Sequence, residues 1–266
     1  MKQSERWPFR QEDPAWADDL MWDRQAVIAV HQQYNHKNKT EASALLRPFR
    51  TGNTIGNEGC LLTSLAMVLR LLDQNPGRWS PKELNAFAHK QLYYTPCGLS
   101  MATLYADLVC EASRGEAQLL LKEEYLSGEP DWPPTYASMC MPLRAYRALS
   151  ASDRRDVVVM IKIGTYDDTV GSHFLLVDQA NPGLQDDDDL AVQDPAEPLP
   201  SVKAPWRLSD SSRHIRKDNK IREAWRKAGV RDLQLAGVWV FARWLSGRDA
   251  MLGGTFLRAM AALTGR

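Results

Sequence analysis

Cys60, His173 and Asp194 are the residues whose types and surroundings could do chemistry. Cys60 follows Gly59 and opens a strongly apolar run within GNEGCLLTSLAMVLR, Gly56 to Arg70, which reads as a helix. A cysteine at a helix start meets the positive end of the helix dipole and unpaired backbone N–H groups. Both favour thiolate over thiol and make the sulfur a nucleophile. His173 stands at the start of a predicted strand in HFLLVDQANPG, and Asp194 at the end of another in LAVQDP. An imidazole can accept the thiol proton and later pass it to a leaving group, and a carboxylate can fix its tautomer and orientation. The backbone N–H of Cys60 is a ready donor to a developing oxyanion. Cysteine, histidine and aspartate in that chain order are the inventory for acyl transfer through a thioester.

The three side chains meet only if a helix bearing the sulfur packs face to face on a sheet bearing the imidazole. Residues 60–73 form that helix, with Leu61, Leu65, Val68, Leu69 and Leu72 close to helical spacing, and NPGRW stops it. NPGLQDDDD lies between the His173 and Asp194 strands and reads as a hairpin connection, so antiparallel neighbours bring imidazole and carboxylate side by side. Asp186 to Asp189 lack the spaced oxygen ligands and glycine of a calcium loop and read as a solvated hairpin tip.

Around this frame the chain reads as helices first and strands later. AVIAVHQQY is an early strand, and SPKELNAFAHKQ a second helix with Ser80 as cap, Pro81 at the first helical position and Glu83 placed for a capping box. A third helix runs from near Ser100 to about Ser113. QLLLKEEYL, DVVVMIKIG, SHFLLVDQA, LAVQD and LAGVWVFARW are strands, rich in β-branched and large apolar residues, with PLRAYRALS a short helix between the first two. The fold class is therefore α+β with an antiparallel sheet. We divide the chain into an N-terminal extension, 1–25, packed on the body; a main domain, 26–245, carrying a basic, Pro-containing insertion at 197–232 with a predicted helix KIREAWRKAG; and a C-terminal segment, 246–266, in which TFLRAMAALTG reads as one amphipathic helix.

Composition narrows the class. Hydrophobic residues are 44% and charged residues 25%, ordinary globular values. Lys+Arg and Asp+Glu both total 33, so nothing predicts bulk attraction to nucleic acid or an anionic membrane. No stretch approaches the roughly 20 apolar residues of a membrane span, and MKQSERWPFRQEDPAW has no apolar signal core. Cytoplasmic synthesis without a signal peptide is the expectation, with export by a signal-independent secretion machine left open. Cys60, Cys97, Cys110 and Cys140 form no CxxC pair and have no histidine at metal-finger spacing, so no structural metal is expected. Cys110, inside the apolar helical pattern MATLYADLVCEA, reads as a core residue.

TIGNEGCLLTSLAMVL resembles the nucleophile motif of the bacteriocin double-glycine leader peptidases found at the N-terminus of some ABC exporters. It is closer still to that of their stand-alone bacterial relatives, with the pattern TIG-x-x-GC-x-x-TS-x-AMVL. SHFLLVD is similar to the family's histidine strand, VQDP to its aspartate motif and GVWVF to its closing strand. The resemblance implies a papain-like fold, the thiol helix on one wall of the site and the imidazole-bearing sheet on the other. It implies a cysteine peptidase that cleaves a peptide or protein substrate through a Cys60–His173–Asp194 triad and an acyl-enzyme, with no metal and no organic cofactor. It further implies an oxyanion-hole glutamine upstream of the cysteine; HQQYN offers Gln32 and Gln33, of which Gln33 is preferred.

The chain departs from the family in HKNKTEASALLRPFR, which replaces a short Trp-containing loop, and in its extension, insertion and C-terminal helix. These elements would shape a binding groove, so the substrate stays open. A peptidoglycan amidase, a glutamine deamidase or a transglutaminase would use the same triad. A mainly non-catalytic peptide-binding domain would keep the fold. An interbacterial effector, with an inhibitor or immunity protein as partner, would suit a signal-less chain with such insertions.

Overall fold

The computed structural model describes residues 9–21, 54–72, 78–91, 93–95, 98–99, 104–124, 136–164, 173–179, 191–195, 206–207, 234–244 and 250–264. Within them, a short helix α1 (Ile55–Glu58) leads through Gly59 into α2 (Cys60–Leu72). Next come α3 (Pro81–Lys90), a small antiparallel pair β1 (Tyr94–Thr95) and β2 (Gly98–Leu99), and α4 (Leu104–Ala112). Then follow β3 (Ala117–Glu124), α5 (Tyr136–Ala148), a 3₁₀ turn at Asp153–Asp156, and β4 (Val157–Gly164). The remaining elements are β5 (His173–Val177), β6 (Ala191–Gln193), β7 (Trp206–Arg207), β8 (Gln234–Arg243) and α6 (Ala250–Thr264). The chain is α+β, and the described residues form a six-stranded sheet in the order β3-β8-β4-β5-β6-β7 whose described neighbours are all antiparallel.

The sheet is covered on both faces. Val158, Met160, Phe174, Leu176, Trp239 and Phe241 face a cluster built with α2, α3 and α4. Val157, Val159, Ile161, Leu175, Val177, Val238 and Val240 face a second cluster with Leu143 and Tyr146 of α5 and Phe256 of α6. This double burial explains why VVVMI is continuously apolar where a half-solvated strand would alternate. Gly237 belongs to the first layer for a steric reason: a Cβ there would sit 2.6 Å from the Trp239 ring. Trp239 is itself fully buried.

Helix α2 is the centre of the first layer. Ten of its residues, Leu61 to Leu69 and Leu72, are buried, so it is apolar almost all round. Each fully buried Leu contributes about 1.5–3 kcal/mol. Polar contacts fix its ends. At the C-terminus the Arg243 guanidinium donates from Nε to Leu72 O at 2.8 Å and from Nη2 to Leu71 O at 3.1 Å, and pairs with Asp156 at 3.1 Å. A cation on the last carbonyls of a helix complements its dipole. Helix α3 begins as its sequence predicts: Glu83 N donates to Ser80 Oγ, and Ser80 N donates back to the Glu83 carboxylate at 3.0 Å.

Three elements differ from expectation. Helix α5 starts at Tyr136, ahead of the predicted PLRAYRALS, and carries Pro142 inside it. Within the helix that proline has no N–H to donate, so it costs one hydrogen bond, and its side chain is buried. Helix α6 begins at Ala250 and runs through Gly253 and Gly254, because its packing on α5 outweighs the low helix propensity of glycine. In the 197–232 insertion, Trp206–Arg207 form an edge strand on β6. The predicted strand AVIAVHQQY, the Asp186–Asp189 tip and the helix KIREAWRKAG lie outside the described residues. Among the described residues no helix is long and apolar enough to cross a membrane.

Candidate active site

Cys60 is the first residue of α2, and the chain reaches it by a turn with no room to spare. Gly59 N donates to Ile55 O at 2.8 Å, and Gly59 O accepts from Thr63 N at 2.8 Å. The backbone is so close to Ile55 that a Cβ on Gly59 would lie 2.3 Å from Ile55 O and 2.7 Å from Ile55 Cγ2. Gly59→Ala must therefore push the α1–α2 junction apart. We expect a loss of about 1–3 kcal/mol, as for overpacking elsewhere, read as a lower urea midpoint. The same displacement should slow alkylation of Cys60, since the sulfur moves with the junction.

The wall opposite is β5. Helix α2 lies against it, and Ser64 Oγ, fully buried one turn beyond Cys60, donates to Phe174 O at 3.2 Å. This bond ties the cysteine helix to the residue next to His173 and so sets the distance between thiol and imidazole. Ser64 was not singled out from sequence. Its signal was present, a small polar pair Thr63–Ser64 inside an otherwise apolar helix, where a polar side chain needs a partner.

His173 is the first residue of β5, and its pairing with Ile163 of β4 fixes the strand end. On the other side β6 pairs Val192 with Val177 and Gln193 with Leu176. The chain leaving β6 therefore comes out at the same end of the sheet, and the next residue, Asp194, is delivered to the imidazole. His173 Nε2 and Asp194 Oδ1 are 2.7 Å apart, with 11% of the imidazole and 1% of the carboxylate side chain exposed. Asp194 is followed by Pro195, also buried.

The ring is hydrogen-bonded as well to the Cys60 side chain. With Nε2 on Asp194, Nδ1 is the nitrogen available to the sulfur. Burial alone would pull the His173 pKa down. The Asp194 charge and hydrogen bond, followed by the hydrogen bond and charge of Cys60, outweigh burial and raise it from 6.5 to about 10. At neutral pH the imidazole is thus held as an imidazolium, with the Asp194 carboxylate on one side and the Cys60 sulfur on the other.

Three of the sequence-derived site residues, Cys60, His173 and Asp194, are brought together. Gln33 and its alternative Gln32 lie outside the described residues, as does Cys97. Cys60 and Cys110 are both free thiols and both half-buried; Cys110 sits in α4. Among the described residues no three His, Cys, Asp or Glu side chains converge as metal ligands. A segment that sequence reasoning treated as periphery borders the site: residues 9–21 run along the α1–α2 junction. Gly56 N donates to Ala17 O at 2.8 Å, Ile55 N to Asp19 O at 3.0 Å, and Leu20 bridges Thr54. Gln11 Nε2 donates to Gly56 O at 2.9 Å. No period or motif marks these residues, because their contacts are made chiefly by backbone groups.

Compared with known proteins, the chain matches no family model, no curated protein and no solved structure.

Proposed function

We propose that this protein is a papain-like cysteine peptidase, and the observation that carries the proposal is the Cys60–His173–Asp194 arrangement. A thiol at a helix start, an imidazole hydrogen-bonded to it and a buried carboxylate on the imidazole's far nitrogen are the parts acyl transfer requires. The resemblance of TIGNEGCLLTSLAMVL to the leader-peptidase nucleophile motif favours a peptide bond as the scissile one.

The reaction runs in two stages. The Cys60 thiolate attacks the carbonyl carbon, and the oxyanion is met by the Cys60 backbone N–H and by the upstream glutamine that the resemblance implies, Gln33 in preference to Gln32. As the C–N bond breaks, the His173 imidazolium gives its proton to the leaving amine. Neutral His173 then takes a proton from water, whose oxygen attacks the thioester. The C–S bond breaks, the acid product leaves, and the thiolate–imidazolium pair is restored. Asp194 keeps Nε2 engaged throughout, so that the other ring nitrogen always faces the sulfur.

The test is to incubate the full chain with a diverse peptide mixture and with cell-wall fragments, and to identify products by mass spectrometry. New peptide termini made by wild type and lost in Cys60→Ala support the peptidase. Release of a cell-wall amide, or a one-dalton gain at glutamine without cleavage, keeps the triad and moves the substrate class. An absence of any change that depends on Cys60 removes the hydrolase reading.

A further inference from the structure

We propose that Gln11 is a positioning residue of this site, holding the Asp194–Pro195 turn and the α1–α2 loop at Cys60 in register with each other. The inference rests on the reading of Cys60, His173 and Asp194 as one catalytic set. Gln11 is 6% exposed. Its backbone N–H donates to Pro195 O at 2.8 Å, immediately after Asp194. Its side-chain Nε2 donates to Gly56 O at 2.9 Å, in α1 just ahead of Cys60. One residue therefore bonds both chain segments that deliver groups to His173, from outside either of them. The backbone contacts that Ala17, Asp19 and Leu20 make with Gly56, Ile55 and Thr54 are on the junction side, not on the turn.

The residues around Gln11 hold it still. Trp16 Nε1 donates to Arg10 O at 2.7 Å, and Phe9 meets the Trp16 ring edge-on at 5.6 Å. The Arg70 guanidinium, on α2 itself, lies over the Phe9 ring at 4.8 Å. Met21 enters the core at the other end. With both ends of the segment anchored, a Gln11 substitution leaves the segment docked and its N–H on Pro195 O, and removes the side-chain half of the link, the bond to Gly56 O ahead of Cys60. The physical effect is on alignment: a shift of the turn lengthens the His173–Asp194 bond, and a shift of the loop moves the sulfur. Misplacement by about 1 Å is enough to cost up to a hundredfold in rate.

The experiment uses the full chain with Gln11→Met, which keeps the length of the side chain and removes its amide. Iodoacetamide labelling of Cys60 is followed against Cys110 from pH 4 to 10, with the His173 ring titrated by NMR and folding checked by circular dichroism. We expect a folded protein in which Cys60 labelling at pH 5.5 falls roughly tenfold to a hundredfold. His173 should titrate at a lower pH than in wild type, a change that a purely structural contact would not produce. Wild-type selectivity with unchanged labelling and titration in Gln11→Met overturns the proposal and leaves the triad standing. No Cys60 selectivity in wild type is a different failure, that of the triad reading beneath it. If Gln11→Met does not fold, Gln11→Asn, which keeps the amide one methylene short, carries the same comparison. Failure of both variants to fold makes Gln11 a folding residue and overturns the proposal too.

Discussion

His173→Ala should remove the acid-side reactivity of Cys60 while leaving Cys110 labelling unchanged. An ordinary cysteine, with a pKa of about 8.5, is only about one part in a thousand thiolate at pH 5.5. A thiolate paired with an imidazolium escapes that penalty, so wild type should alkylate Cys60 at pH 5.5 on the order of a thousandfold faster than an unassisted thiol. The helix dipole persists in the variant and recovers part of the difference, which puts the expected loss at about two to three orders of magnitude. Peptide cleavage should fall at least as far, because the variant also lacks the acid for the leaving amine. Cys110 is the internal reference: it is free and half-buried like Cys60, but sits inside α4. Mass spectrometry of the labelled chain separates the two sites in one experiment. Equal labelling of Cys60 and Cys110 in wild type at pH 5.5 would sink the prediction, as would an unchanged Cys60 rate in the variant.

The elements that carry these residues were legible because each has a strong local signal. Helix α2 announces itself by leucine spacing, α3 by the Ser80–Glu83 reciprocal cap, and the strands by their β-branched runs. Cys60 stood out as a cysteine at a helix start, and His173 and Asp194 as residues at strand ends beside a turn. Their convergence followed from antiparallel topology, which the register of β5 and β6 realises. The contacts that set the distances were not legible. Ser64 bonds a carbonyl 110 residues away, and Gln11 one 45 residues away; Ser64 shows in the sequence only as a polar residue that needs a partner, and which backbone carbonyl serves either residue has no sequence signature. The second layer on the sheet was likewise hidden, since a continuous apolar strand does not say what covers each face. Helix α5 was misjudged at its start for the opposite reason: Pro142 is a strong local signal that tertiary packing overrode.

Asp194→Asn should narrow the pH range over which the site works and lower the stability of the chain in the same range. The substitution keeps the shape and an oxygen acceptor for Nε2 but removes the negative charge. That charge and its hydrogen bond are the main causes that lift His173 against burial, with Cys60 contributing less. Without it the imidazole should lose its proton at a lower pH, and the imidazolium needed to protonate the leaving amine should disappear sooner as pH rises. The upper limb of the pH–rate profile for cleavage should therefore move down, with Cys60 labelling at pH 5.5 changed far less than in His173→Ala. Stability follows the same sign. A group whose pKa is raised in the folded state binds its proton more tightly there, so its contribution is fully present below about pH 6.5. It is lost as pH climbs through the folded value of about 10. Denaturant midpoints of wild type and Asp194→Asn should thus differ most at pH 6 and converge as pH approaches 10. A constant difference across that span would mean that the carboxylate acts through packing rather than through the charge of His173. A gap that widens with pH would contradict the raised imidazole itself. Asp194→Ala adds a second control: it empties the acceptor position as well, so its rate should fall below that of Asp194→Asn, because the ring then also loses the bond that orients it.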